Sequence, residues 1–296
     1  MPNSDPNSRK AVVVYPEGGP PTQGTIFSCA VAENYVGCQT CGLIITARCD
    51  AANDKVRCYN YVPVVTLNDW VHRDGRVILA ERLMAETLGG LRGTLTDAGL
   101  SASILETEDP STLLVRLFAP DDAAPKVAKA RDRFAQLCDR HALAVSGLLS
   151  APSDAVCLKL AKAAPRMRDT LLAELVHQHL AGYYFLERVG PDLADTGHVA
   201  LLREVQVLPR LLARAIAQGL YAQQFEEMCA TQPAMRDRLY LAPDDLAMPI
   251  GLLCSPYLEH FMQSFSLLFS RIGVADPAPS YVEGLWIRQP SLMEAP

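Results

Sequence analysis

Between Thr25 and Leu67 the apolar residues come in short β-branched and aromatic runs, and beyond Trp70 they recur at helical intervals. This change of period constrains the fold more than any other feature. The runs TIFSCAVA, GLIITARC and YNYVPVVTL, separated by polar turns, predict three strands of a small curled sheet or barrel. After them, Val77, Leu79 or Ala80, Leu83, Met84, Leu88 and Leu91 predict one helix, and Val127, Ala130, Phe134, Leu137 and Cys138 predict another. Ser101–Leu105 and Leu113–Phe118 read as strands ahead of the polar boundary APDDAAP. Leu171, Leu172, Leu175, Val176 and Leu180 form a further amphipathic stripe. YYFLERV and HVALLREVQVL, joined by GPDLADTG, predict a β-hairpin with a long loop, and Pro209 suits the first turn of the next helix. A last helix is capped by Ser255, takes Pro256 in its first turn and ends at Gly273. It buries Leu258, Phe261, Met262, Phe265, Leu268, Phe269 and Ile272.

The fold class is therefore α+β, a curled sheet or barrel followed by a mainly helical body that includes a β-hairpin. Four segments are expected. Residues 1–24 form a tail with one strand near Ala11–Tyr15, and 25–120 a cysteine-rich, strand-rich module with a helix. Residues 121–274 form the helical body and 275–296 a C-terminal tail. With 296 residues, 49% hydrophobic and 20% charged, the chain has ample material for a core.

A formal charge of −6 disfavours phosphate backbones, whose capture relies on clustered Lys and Arg. Arg131, Arg133 and Arg140, and likewise Arg203, Arg210 and Arg214, fall near helical spacing and read as solvated faces. No apolar run reaches the roughly 18 residues of a membrane span, and the polar start MPNSDPNSRK lacks the apolar core of a secretion signal. The expectation is a cytoplasmic protein that keeps its thiols reduced and does not contact membranes.

Five of the nine cysteines, Cys29, Cys38, Cys41, Cys49 and Cys58, fall within the strand-rich segment, with Cys38 and Cys41 in a C-x-x-C knuckle. Four thiolates about 2.3 Å from a zinc ion would make a structural site, and a knuckle supplies two of them from one bend. The second knuckle is missing. Three readings stay open: a zinc site drawn from these five, plain buried thiols, and a redox or nucleophilic role. His72 is the nearest histidine in sequence. His177 and His179, two apart on an expected helix, face different ways and form no adjacent ligand pair.

The run GLIITARCDAANDKVRCYNYVPVV, with Asp69 and Trp70 after it, resembles a pattern recurring in uncharacterised bacterial proteins. In that pattern a strand ends in T-x-x-C-D, a Lys follows, and an N-Y-x-P-V-V strand comes next. CSPYLEHFMQSFSLLFSRIGV resembles the block that closes chains of the same type. Together they cover about a fifth of the chain. The resemblance singles out Thr46, Cys49, Asp50, Lys55, Asn60 and Pro63 in the first block, and Ser255, Pro256, Glu259, His260, Gln263 and Arg271 in the second. It implies bacterial defence or mobile-element loci, and an N-terminal part similar to the SH3-like barrels of MazF-type toxins. Cys29, Cys38, Cys41 and Cys58 are not part of the pattern.

Two functional readings follow. The first is a non-enzymatic interaction or regulatory subunit of a bacterial assembly, such as one in anti-phage defence. It would meet a protein partner through Glu259, His260, Gln263 and Arg271, with a structural zinc as an optional element. The chain has none of the common phosphate-loop, dinucleotide, metalloprotease or nucleophile-elbow patterns. The alternative is a nuclease or toxin-like enzyme acting on RNA or DNA, with Arg48, Cys49, Asp50 and Lys55 as candidate catalytic residues at a strand-end rim. Charge opposes it. Arg48, Lys55, Arg57 and Arg73 are offset by Glu33, Asp50, Asp54, Asp69 and Asp74. A small-molecule sensor is a third reading, and it would require a closed apolar pocket.

Overall fold

The computed structural model describes residues 12–16, 18–52, 56–117, 125–193 and 196–269. In chain order the elements begin with β1 (Val13–Val14), β2 (Thr25–Phe27), β3 (Thr40–Ile44), α1 (Arg48–Ala52) and β4 (Cys58–Thr66). α2 (Leu67–Trp70) leads through a π-helical turn, Val71–Gly75, into α3 (Arg76–Asp97), and α4 (Pro110–Leu117), α5 (Pro125–Leu149), α6 (Asp154–Ala163) and α7 (Pro165–Val176) follow. The chain then returns to strand with β5 (Tyr183–Leu186), β6 (His198–Leu201) and β7 (Gln206–Pro209). Next come α8 (Arg210–Gln218), β8 (Leu220–Tyr221), α9 (Ala222–Thr231), β9 (Leu246–Ala247), β10 (Pro249–Leu253) and α10 (Tyr257–Phe269). This is the expected α+β class, with the curled-sheet alternative realised as an antiparallel half-barrel followed by a helical body.

The sheet runs β1-β10-β2-β3-β4-β6-β5, with β7 also on β4. The nine-residue β4 is its pivot: Cys58–Tyr61 pair with β7, and Val64–Thr66 pair with β6. Pro63, which has no N–H to give to a ladder, sits at the gap between those two partners. A long strand that exchanges neighbours part-way forces the sheet to curl.

Alternation then gives the two faces different cores. Phe27, Ile44, Tyr59 and Tyr61 point to one side, where Leu212, Ala213 and Ile216 of α8 and Phe225 of α9 cover them. Further along the same face, Val65, Val199 and Leu201 meet Leu83, Leu160 and Leu175 of the helical body. Ile26, Leu43, Val62, Val64 and Ala200 point the other way, onto Leu258 and Phe261 of α10. Both faces are therefore apolar, and β4 reads as a nearly continuous hydrophobic run. On the first face Phe27 and Tyr61 meet edge-on, 5.1 Å between ring centres. Gly42, opposite Pro63, is required beside that pair, because a Cβ there would lie 2.4 Å from the Phe27 ring.

The helical body is tied to the sheet through Trp70, which is wholly buried and meets Tyr183 edge-on at 5.3 Å. Thr66 caps the entry by accepting the Asp69 N–H at 3.0 Å and donating its hydroxyl to Asp69 Oδ2 at 2.7 Å. At the distal tip, Leu91 and Leu95 of α3 pack with Leu113 of α4 and Phe134 and Cys138 of α5.

Several sequence expectations are corrected. Ser101–Leu105 is not a strand: Ala102–Glu106 is a 3-10 turn, and Leu113 lies on α4, whose buried face completes the distal cluster. Short apolar runs cannot by themselves distinguish buried strand from buried helix. GLIITARC is strand only to Ile44; Arg48, Cys49 and Asp50 lie on the following helical turn. α7 stops at Val176, Gln178 takes a left-handed φ of 61°, and the rings of His177 and His179 stack 6.2 Å apart instead of facing different ways. Phe269, expected in the buried stripe of α10, is 59% exposed. The expected hairpin is present as β5 and β6, paired from Tyr183 with Leu201 to Leu186 with His198, but HVALLREVQVL is not one strand: it breaks after Leu201, and Gln206–Pro209 form β7 on β4.

Candidate functional site: a cavity at the mouth of the half-barrel

Antiparallel pairing gathers the end of β2, the start of β3, the end of β4, the start of β6 and the start of β10 at one end of the sheet. Strand ends exhaust their ladder partners there, and loops must cover them. A cavity of about 720 Å³ lies at this mouth, within the size range of small-molecule pockets. Its apolar walls include Val189, Leu193, Leu246 and Ile250, and into it turn Cys29, Cys38, Cys41, His198 and Asp245.

Cys29 reaches the cavity through a bulge. Phe27 pairs with Gly42 and the Ala30 N–H donates to Thr40 O at 2.9 Å, so Ser28 and Cys29 together oppose the single residue Cys41. Cys29 itself takes a left-handed φ of 63°. Cys41 shares a face with Val64 and Ala200, its neighbours across β4 and β6. Cys38 closes the loop before β3. That loop is pinned from the π-helical turn, where Arg73 donates to the carbonyls of Asn34 and Val36 and lies over the Tyr35 ring, 5.3 Å from its centre.

All three thiols are held in the neutral form. Burial pushes Cys41 up to about 12, with neighbouring Cys29 adding to it. Cys29 is raised first by burial and also by Asp245, against a lowering hydrogen bond from Ser28. Cys38 is raised by burial, with Asp69 raising and Arg73 lowering it. A protonated thiol is a weak nucleophile and must lose its proton before binding a metal.

His198, paired with Thr66 and Leu186, is 9% exposed, and its Nδ1 is buried with no hydrogen-bond partner. Burial lowers its pKa from 6.5, so the ring is neutral at pH 7. Asp245 keeps one oxygen occupied, accepting the Ala242 N–H at 2.8 Å. The site thus combines soft neutral sulfur, a neutral imidazole, a carboxylate and apolar walls.

The sequence-predicted residues divide between the two ends of the strands. Cys29, Cys38 and Cys41 lie at the mouth. Cys49 and Cys58 are exposed at the opposite end, separated from it by the five residues of β3. At about 3.3 Å per residue that is a gap of roughly 15 Å, too far for the five to converge on one ion. Among the described residues no group of three or more His, Cys, Asp or Glu side chains is placed to hold a metal ion.

Arg48, Cys49 and Asp50 are exposed on α1, with Cys49 Sγ 3.7 Å from Asp50 Oδ1. The Asp50 N–H donates to Ala47 O at 3.1 Å in this turn. Lys55 and Arg271 lie outside the described residues. Thr46 and Asn60, from the two halves of the first resembling block, meet directly, the Thr46 hydroxyl accepting the Asn60 N–H at 2.7 Å. On α10, Glu259 and Gln263 are exposed, while His260 Nδ1 lies 3.0 Å from the Tyr184 hydroxyl. His72 is engaged by Asp154 at 2.6 Å and by the Asn68 carbonyl at 2.7 Å.

Sequence reasoning missed His198 and Asp245. The signal for His198 was present: it heads an apolar strand, on the face that alternation turns inward. Asp245, in a polar loop, carried none. Comparisons with family models, curated proteins and solved structures return no match for the chain.

Proposed function

We propose that this chain is a non-enzymatic regulatory or interaction protein whose half-barrel holds a small molecule at its mouth. The cavity of about 720 Å³ carries the reading, because its lining joins apolar walls to three thiols, the His198 ring and the Asp245 carboxylate. The chemistry of the site favours binding over catalysis. Burial raises its three thiols, away from the thiolate form that a nucleophile needs. The candidate catalytic residues Arg48, Cys49 and Asp50 stand on an exposed turn at the other end of the sheet. Partner contact through Glu259 and Gln263, and a place in a bacterial defence assembly, follow from the resemblance of the two sequence blocks.

The test is a fluorine-NMR fragment screen of the full chain, with Leu193→Trp as the comparison that fills the cavity. Fragments that bind the native chain and are lost in Leu193→Trp support the reading. An empty screen, or hits indifferent to the substitution, overturns it.

A further inference from the structure

We infer that the mouth cavity selects an uncharged or cationic aromatic nitrogen compound, such as an arylalkylamine, and rejects phosphates and carboxylates; this rests on the cavity being a ligand site. The first argument is charge. Among the described residues lining the cavity there is one carboxylate, Asp245, and no Lys or Arg. Asp69 lies close enough to act on Cys38 from behind the wall. The nearby cation, Arg73, is committed to two carbonyls and the Tyr35 ring. An anion entering here would shed its hydration beside Asp245 and within reach of Asp69, whose effect on Cys38 outweighs that of Arg73 outside the lining. A cation would gain Asp245.

The second argument is the state of the imidazole in the wall. His198 is neutral, so the imidazole in the cavity wall brings no positive charge to hold an anion and offers an uncharged ring to an aromatic body. It is buried at the head of β6, where the strand positions the ring. The third is the walls. Val189, Leu193, Leu246 and Ile250 offer apolar surface to an aromatic body, and the thiols of Cys29 and Cys41 add polarizable contacts to it.

Three probes with one ring system separate these arguments: tryptamine as the cation, tryptophol as the neutral alcohol and indole-3-acetate as the anion. Binding to the full chain is followed by saturation-transfer NMR and calorimetry in the native protein, His198→Phe and Asp245→Asn. Tryptamine and tryptophol are expected to bind, with indole-3-acetate at least tenfold weaker. Asp245→Asn should erase the preference for tryptamine over tryptophol, and His198→Phe, which exchanges one uncharged ring for another in the wall, should leave the order of the three probes unchanged. Asp245→Asn retains an acceptor for the Ala242 N–H, so it reads charge without depending on the fate of the histidine variant. Indole-3-acetate binding as tightly as tryptamine, or tryptamine indifferent to Asp245→Asn, overturns the inference and leaves the cavity reading intact. All three probes failing while the fragment screen still finds occupants overturns the charge assignment alone. Failure of both screens overturns the cavity reading with it.

Discussion

The two ends of β3 and β4 are built from similar residues and come out chemically opposed. At the mouth, Cys29, Cys38 and Cys41 turn into a cavity whose burial keeps them protonated. At the far end, Cys49 and Cys58 stand exposed beside a helical turn. The difference lies in what covers the strand ends, not in the strands. The mouth is roofed by the segment around Tyr240–Leu246 and by Val189, Leu193 and Thr196, whereas the far end leads into the helical turn α1. A cysteine count taken along the sequence therefore merges two environments that the strand length keeps apart.

The sharpest way to break this comparison is thiol reactivity, where the largest effect is expected. At pH 7 a small alkylating reagent should modify Cys49 and Cys58 on the order of a hundredfold faster than Cys41, since the thiolate is the reacting species and the latter titrates near 12. Raising the pH should increase the Cys41 rate across the whole accessible range. Peptide mapping by mass spectrometry over time reads this out, and equal rates at the two ends would remove the distinction.

Next in size is the packing that joins the two ends. Gly42→Val places atoms inside the Phe27 and Tyr61 rings, which are each 1% exposed and have no room to withdraw. Overpacking of this kind costs about 1–3 kcal/mol, visible as a lower urea midpoint. A midpoint unchanged from the native chain would mean that the sheet does not curl tightly here.

A smaller effect concerns the mouth alone. Because burial holds His198 below its ordinary 6.5, the unfolded chain takes up that proton at a higher pH than the folded one. This contribution to stability is complete above about pH 6.5 and is drawn down as the pH falls through 6.5 toward the folded value. His198→Phe should flatten the loss of stability between pH 7.5 and 5.5. Asp109, held below 3.8 by its bonds to Ser111, titrates outside that window. A native profile already flat over the window would place the imidazole in contact with water.

Much of the architecture was legible because period survives burial. The β4 run, the α3 stripe and the hairpin of β5 and β6 are each long enough to show their period. The misread segments were the short ones. Ala102–Glu106 and α4 are apolar on the side that meets Phe134, and a few residues do not reveal whether that side repeats every second or every fourth position. The site was half legible. Cys38 and Cys41 announced themselves, but the mouth is completed by His198 and Asp245, more than 150 positions further along the chain. Only the antiparallel order of β3, β4 and β6 brings His198 near the thiols. The same order explains why Thr46, Asn60 and Pro63 form a pattern: the first two join across the β3–β4 connection and the third sits at the break in the ladder.

The smallest effect expected is at the far end, and it is the most informative about function. Cys49→Ala and Asp50→Ala each remove an exposed side chain from α1, and surface changes of that kind usually alter stability by less than about 0.5 kcal/mol. Thr46→Ala, one turn earlier, should cost about 1 kcal/mol, because it leaves the Asn60 N–H without its acceptor. If the α1 residues only cap the sheet's far end, both alanine variants should retain the fold, the slow labelling of Cys41 and any ligand bound at the mouth. A nuclease-like role predicts the same stability and mouth binding, and differs in one readout: cleavage of a labelled RNA or DNA oligonucleotide present in the native chain and lost in Asp50→Ala. Running the oligonucleotide assay beside the mouth-binding assay on the same two variants assigns function to one end of the strands or the other.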